Sequence, residues 1–150
     1  MHKTLYLAYG SNLNLEQMAQ RCPTAKVAGR TVLKDYRLLF RGGRGAAVAT
    51  VEPQEGGQVP VLLWKITPAD EAALDRYEGF LFLYRKETMK VRLADKTVKA
   101  MVYIMNEGKP LELPSCYYYA TILDGYKSAG FDVEILRRAA SAYEDGEQDA

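Results

Sequence analysis

Among the side chains able to move a proton, this chain places its carboxylates and tyrosines where they can act. Histidine occurs once, at His2, on a chain end that reads as frayed, which argues against a Ser-His-Asp triad or a His-rich metal site. Cys22 and Cys116 are far apart and show neither metal-ligand spacing nor a Cys-x-x-Cys. Acid–base work therefore falls to Asp, Glu or Tyr. In "TPADEAALDRYEG" Thr67 reads as a helix cap, Pro68 lies in the first turn, Asp70 and Glu71 sit near the positive end, and Gly79 terminates the helix. Leu74 and Glu78 are four apart and share a face, with Tyr77 on the stripe alongside. Glu78 thus extends the side that Leu74 and Tyr77 are expected to bury, whereas Asp70, Glu71, Asp75 and Arg76 are expected to face water. It also falls in the last turn, where the helix dipole disfavours a carboxylate. Burial and dipole both raise its pKa toward the range of a general base.

A second stretch, "LYLAYGSNLNLEQMAQRCP", ends an apolar strand abruptly in Gly10-Ser11-Asn12. Gly10 permits backbone shapes other residues resist, and Ser11 and Asn12 can turn their side chains onto nearby amides. Asn14, three residues before Gln17, reads as the cap of a short helix that stops at Pro23. Such a loop aims free N–H groups at one point, which suits an anion or a polarised carbonyl. It carries neither a dinucleotide fingerprint nor a phosphate loop.

The rest of the chain narrows the class. Its 150 residues fit one domain with one core, expected over 1–143, followed by an acidic, disordered tail at 144–150. Twenty basic against nineteen acidic residues give no case for nucleic acid or a charged membrane. No stretch approaches the roughly 20 apolar residues of a membrane span. Without an export signal, reduced thiols in a cytoplasmic protein are expected. Arg41 and Arg44 in "FRGGRG" read as a solvated loop, and Trp64 as core.

The elements that must hold these residues alternate along the chain. Strand-like runs fall at residues 27–28 and 36–40. "GAAVATVEP" and "VPVLLWKI" flank "QEGGQ" and read as a hairpin; "YRKETMKVRL" and "TVKAMVYIM" flank "ADK" as another. Two late helices open at Ser115 and Asp132. Strands with interspersed helices predict an α+β domain around a small sheet or barrel.

Together, "YGSNL" and "ALDRYEGF" resemble the γ-glutamylcyclotransferase-like family, which includes the AIG2-like proteins. "GAAVATVEP", "VPVLLWKI", "VYIM" and "PSCYY" follow in the family's order, so the resemblance runs from Tyr6 to about Phe131. It implies an α+β fold, a small mixed β-barrel or sheet with surrounding helices and a central cavity, and no cofactor or metal. It implies an enzyme that cyclises a γ-glutamyl amide to 5-oxoproline and releases the amine, with a small-molecule γ-glutamyl amine or peptide as its partner. Carried over by position, Glu78 is the catalytic acid/base, and Tyr9, Gly10, Ser11, Asn12 and Leu13 are the substrate cradle. Tyr84, Tyr103 and Tyr118 match pocket tyrosines, with Tyr117 and Tyr119 as alternatives for the last. The competing readings are a non-catalytic binding module of the same fold, or a hydrolase that yields glutamate.

The chemistry suits the residues. The substrate brings its own nucleophile, an α-amine, so no Ser or Cys nucleophile is required. Moving a proton from an amine near pKa ~8 to a free Glu near ~4.3 is uphill by roughly 5 kcal/mol; a Glu at about 6–7 reduces this to roughly 1–3 kcal/mol. The loop amides are left to bind the glutamyl carboxylate or the oxyanion, and a lost oxyanion donor typically costs roughly 3–4 kcal/mol.

Overall fold

The computed structural model describes residues 4–79 and 82–144. His2 and most of the expected tail lie outside the described residues; of that tail, Glu144 is the last residue of a helix.

Among the described residues five strands form one sheet. They are β1 (Thr4–Ala8), β2 (Lys26–Arg41), β3 (Val48–Ile66), β4 (Tyr84–Leu93) and β5 (Lys96–Met105), in the order β2-β3-β1-β5-β4. β1 runs antiparallel to β3 and parallel to β5, so the sheet is mixed. The expected sheet is present, but it does not close into a barrel: β2 and β4 remain its two edges. Among the described residues four α-helices accompany it: α1 (Leu15–Arg21), α2 (Pro68–Glu78), α3 (Cys116–Ala129) and α4 (Val133–Glu144).

One expected hairpin is absent, for a clear reason. The segments around "QEGGQ" do not fold back on each other but run on as the single strand β3, both halves pairing with β2. Lys34 faces Gln58 and Tyr36 faces Pro53, so residues 54–57 bulge outward opposite Asp35. The Asp35 carboxylate accepts the Gly56 N–H at 3.0 Å, with Gly56 at φ 78°, a shape glycine adopts without penalty. The turn chemistry is real; it bends a strand out and back rather than reversing it. Likewise the two runs at 27–28 and 36–40 are one strand, β2, broken in register twice. The β4–β5 hairpin forms as expected, from Tyr84↔Met105 to Leu93↔Lys96.

The helices start where their caps say. Thr67 and Asp70 make a reciprocal capping box, and Gly79 ends α2 in the left-handed conformation at φ 62°. Asn14 Oδ1 accepts the Gln17 N–H at 3.0 Å, and Ser115 Oγ accepts that of Tyr118 at 3.1 Å. Asp70, expected to face water, is buried, because its carboxylate both closes the cap and accepts the Thr24 hydroxyl at 2.7 Å. Leu7, Leu63, Ile66, Leu74, Val102, Ile122 and Leu136 are fully enclosed in one continuous core.

Candidate active site

After β1 the chain passes Tyr9 and Gly10 into a single 3-10 turn, Ser11–Leu13. Leu13 N–H closes onto the Gly10 carbonyl and Asn14 N–H onto that of Ser11, both at 3.0 Å. The amides of Ser11 and Asn12 are the orphans any helical start leaves. Gly10 is closely packed: a Cβ there would lie 3.2 Å from the Ala49 Cβ, a tight contact, and 3.6 Å from the Tyr118 hydroxyl. The turn is pinned from three sides. Asn12 Nδ2 donates to the Tyr6 hydroxyl at 2.9 Å, the Trp64 indole N–H donates to the Asn12 carbonyl at 3.1 Å, and the Leu13 backbone packs on Gly125 of α3.

Glu78, the last residue of α2, faces this turn across a hollow lined also by Tyr6, Tyr9, Ala49, Tyr84, Tyr103 and Tyr118. The hollow is small, about 20 Å³, roughly the space of one water. Ser11 Oγ of the turn and the Tyr77 hydroxyl of α2 share a hydrogen bond of 2.8 Å. Glu78 is half-buried, and burial pushes its carboxyl from 4.5 up to about 7, opposed by the Arg21 guanidinium. Burial likewise drives the hydroxyls of Tyr6, Tyr9, Tyr84 and Tyr118 above their ordinary range, so they stand neutral as donors and acceptors.

The tyrosines are held by backbone groups from distant parts of the chain. Tyr84 donates to the Ala49 carbonyl at 2.5 Å, Tyr118 accepts the Ala49 N–H at 3.1 Å, and Tyr9 donates to the Tyr103 carbonyl at 2.7 Å. Tyr103 is among the lining residues, but its hydroxyl goes to Asp75 Oδ1 on α2 at 2.5 Å. Of three consecutive tyrosines on α3, Tyr118 reaches the hollow; Tyr117 is 75% exposed, and the Tyr119 ring lies against Phe40.

Most residues singled out in the sequence thus surround one space: Glu78, Tyr9, Gly10, Ser11, Asn12, Tyr84, Tyr103 and Tyr118. Leu13 is wholly buried and does not line the hollow; it seats the turn against α3. Tyr77, expected to be buried, keeps 43% of its surface exposed while its hydroxyl reaches Ser11. Asp75 and Glu71, expected to face water, instead bind Lys86 Nζ at 3.0 and 2.6 Å. Arg41 is no solvated loop residue: it is buried in β2, paired with Glu52 at 2.5 Å, along a separate groove. Tyr6, Ala49 and Arg21 were not legible as site residues. Tyr6 sits in plain strand alternation, and Ala49 acts only through its backbone. Among the described residues no group of three or more His, Cys, Asp or Glu is placed to hold a metal, and no helix is long and apolar enough to cross a membrane.

The fold is thus an α+β sheet that sets a half-buried glutamate, its carboxyl raised to about 7, opposite an amide-bearing turn. A family model described as Gamma-glutamyl cyclotransferase, AIG2-like matches residues 6–120. The human protein named Gamma-glutamylcyclotransferase is 30% identical over 145 residues, covering 89% of this chain and 76% of that protein. Its bovine counterpart is 27% identical over 147 residues, covering 91% and 77%. A solved structure of a gamma-glutamyl cyclotransferase aligns with a TM-score of 0.79 at 27% identity, over 92% of this chain and 86% of that one. The chain belongs to the gamma-glutamyl cyclotransferase, AIG2-like family, a family of enzymes.

Proposed function

We propose that this protein converts a γ-glutamyl amide to 5-oxoproline and a free amine, with Glu78 as general base and then general acid. The observation that carries the proposal is the raised Glu78 carboxyl sharing one hollow with the turn at residues 10–12. The relatives named gamma-glutamylcyclotransferase support the reaction type.

In this reading the glutamyl α-ammonium gives a proton to Glu78. The freed amine attacks the γ-carbonyl carbon, forming the ring C–N bond and placing negative charge on the carbonyl oxygen. Glu78 gives that proton to the departing nitrogen as the oxyanion collapses and the scissile C–N bond breaks; the second proton, left on the ring nitrogen, passes through the same carboxylate to the freed amine, which leaves as an ammonium. Atoms and charge balance without water. With Glu78 at about 7 and an α-amine near ~8, the first transfer costs roughly 1–2 kcal/mol, against roughly 5 for an ordinary carboxyl. The Ser11 and Asn12 amides bind the substrate carboxylate or the oxyanion, and the fixed tyrosine walls hold amine and carbonyl together, an advantage of up to about 7–11 kcal/mol in well-oriented systems. The glutamyl group is larger than one water, so its entry widens the hollow. Two unpaired cysteines suit a reducing compartment such as the cytoplasm.

The test is incubation with pooled γ-glutamyl amines and dipeptides, followed by mass spectrometry for 5-oxoproline. Glu78→Gln is expected to keep the fold and lose about 10²–10⁴-fold in rate. Wild-type turnover in that variant would remove Glu78 from the mechanism, and glutamate as the product would make the enzyme a hydrolase.

A further inference from the structure

Arg21, the last residue of α1, has no part in the reaction as described so far. Its guanidinium carbon lies 3.6 Å from the centre of the Tyr77 ring. One of its amino groups donates to Asn12 Oδ1 at 2.5 Å, and the other donates to Gln17 Oε1. Asn12 belongs to the turn on one side of the hollow; Tyr77 immediately precedes Glu78 on the other. The Tyr77 hydroxyl is itself joined to Ser11 Oγ. Arg21 therefore touches both the turn and the end of α2, and among the described residues no carboxylate forms an ion pair with it.

We infer that Arg21 is a positioning residue for this site: its fork and its stack hold the Asn12 turn and Tyr77, the residue before Glu78, together, and its charge acts on the Glu78 carboxylate. The inference rests on the assignment of Glu78 as acid/base. The titratable groups that share the hollow with Glu78 are Tyr6 of β1, Tyr9 just after it, Tyr84 of β4, Tyr103 of β5 and Tyr118 of α3, and Arg21 of α1 acts on it by its charge. The five tyrosines are neutral, so Arg21 supplies the charge that favours ionised Glu78 against the burial that disfavours it. A lysine keeps that charge but has neither the planar fork nor the same stacking face.

The experiment compares wild type, Arg21→Met and Arg21→Lys in two ways. Carbon-13 NMR of the Glu78 carboxyl in the free protein gives its titration midpoint, and 5-oxoproline formation from γ-glutamyl-alanine gives kcat/KM against pH. Arg21→Met is expected to move the midpoint upward by about one pH unit. Its kcat/KM then falls about tenfold at pH 6.5 and by less at pH 9. Arg21→Lys is expected to restore the midpoint while remaining several-fold slower at every pH, because charge returns without the fork and stack. Arg21→Gln replaces the Met variant if that one does not fold. An unmoved Glu78 midpoint in the uncharged variant overturns the inference, as does a lysine variant that behaves like the methionine one. A purely structural arginine would lower the melting temperature of both variants and leave the midpoint in place. Wild-type turnover in Glu78→Gln, or no 5-oxoproline from wild type, overturns the acid/base assignment instead, and the NMR midpoint still decides whether Arg21 acts on Glu78.

Discussion

The Tyr103 hydroxyl donates to Asp75 Oδ1 at 2.5 Å, and so ties strand β5 to helix α2 one turn before Glu78. Lys86 of β4 binds the same carboxylate at 3.0 Å and Glu71 at 2.6 Å. The helix that carries the proposed acid/base is thereby fixed in its roll over the sheet. Tyr103 matches a pocket tyrosine in the family resemblance, yet in this fold its hydroxyl is spent on the helix.

Tyr103→Phe is expected to cost about 1–2 kcal/mol, the worth of a hydrogen bond to a partly exposed carboxylate. That corresponds to a fall of roughly 2–6 °C in melting temperature for a chain of this size. Thermal unfolding measures it, and kcat/KM should fall with it. A raised KM with an unchanged melting temperature would instead assign the hydroxyl to the substrate.

Glu78 must be ionised to accept a proton, and its carboxyl is raised to about 7. The wild-type kcat/KM is expected to rise with pH along a limb centred near 7, falling about tenfold per unit below it. A limb near the ordinary glutamate value would mean that burial does not tune the group.

The same shift has a stability signature of defined sign. The unfolded chain loses the Glu78 proton near 4.5, whereas the folded chain holds it until about 7. Between those values the native state binds more protons, so stability falls as pH rises. Glu78→Gln removes this penalty. Its stability advantage over wild type is expected to be absent near pH 4, to grow between pH 4.5 and 7, and to level off at about 2–3 kcal/mol. Denaturant titrations of both proteins across pH 4–8 check it; parallel curves would contradict the shift.

Gly125 lies inside α3, where alanine would ordinarily gain about 1 kcal/mol. A Cβ there would stand 2.7 Å from both the Leu13 carbonyl carbon and its Cβ. Backbone cannot yield as a flexible side chain does, and overpacking of this kind costs roughly 1–3 kcal/mol. Gly125→Ala is therefore expected to destabilise by about 1–2 kcal/mol net and, because Leu13 ends the site turn, to lower kcat/KM as well. A stabilised variant would show that the turn moves freely.

What the sequence determined by itself is local. Thr67 with Asp70, Asn14 with Gln17, and Ser115 with Tyr118 are caps three residues apart, and the chain needs nothing distant to form them. The break at Gly10 and the place of Glu78 at a helix end belong to the same order of information. The tertiary structure decided whatever depends on which distant groups meet. "QEGGQ" has the chemistry of a reversal, but β2 offers both flanking segments a partner, and so it became a bulge. Asp70 is buried because Thr24 arrives to satisfy it, and Ala49 supports two tyrosines through backbone groups that its side chain does not reveal. Arg21 stacks on a ring 56 positions away. Caps and turns draw on hydrogen bonds between near neighbours, so residue types alone encode them; an ion held over a ring, or a carboxyl raised by burial, exists only once the core has closed around it.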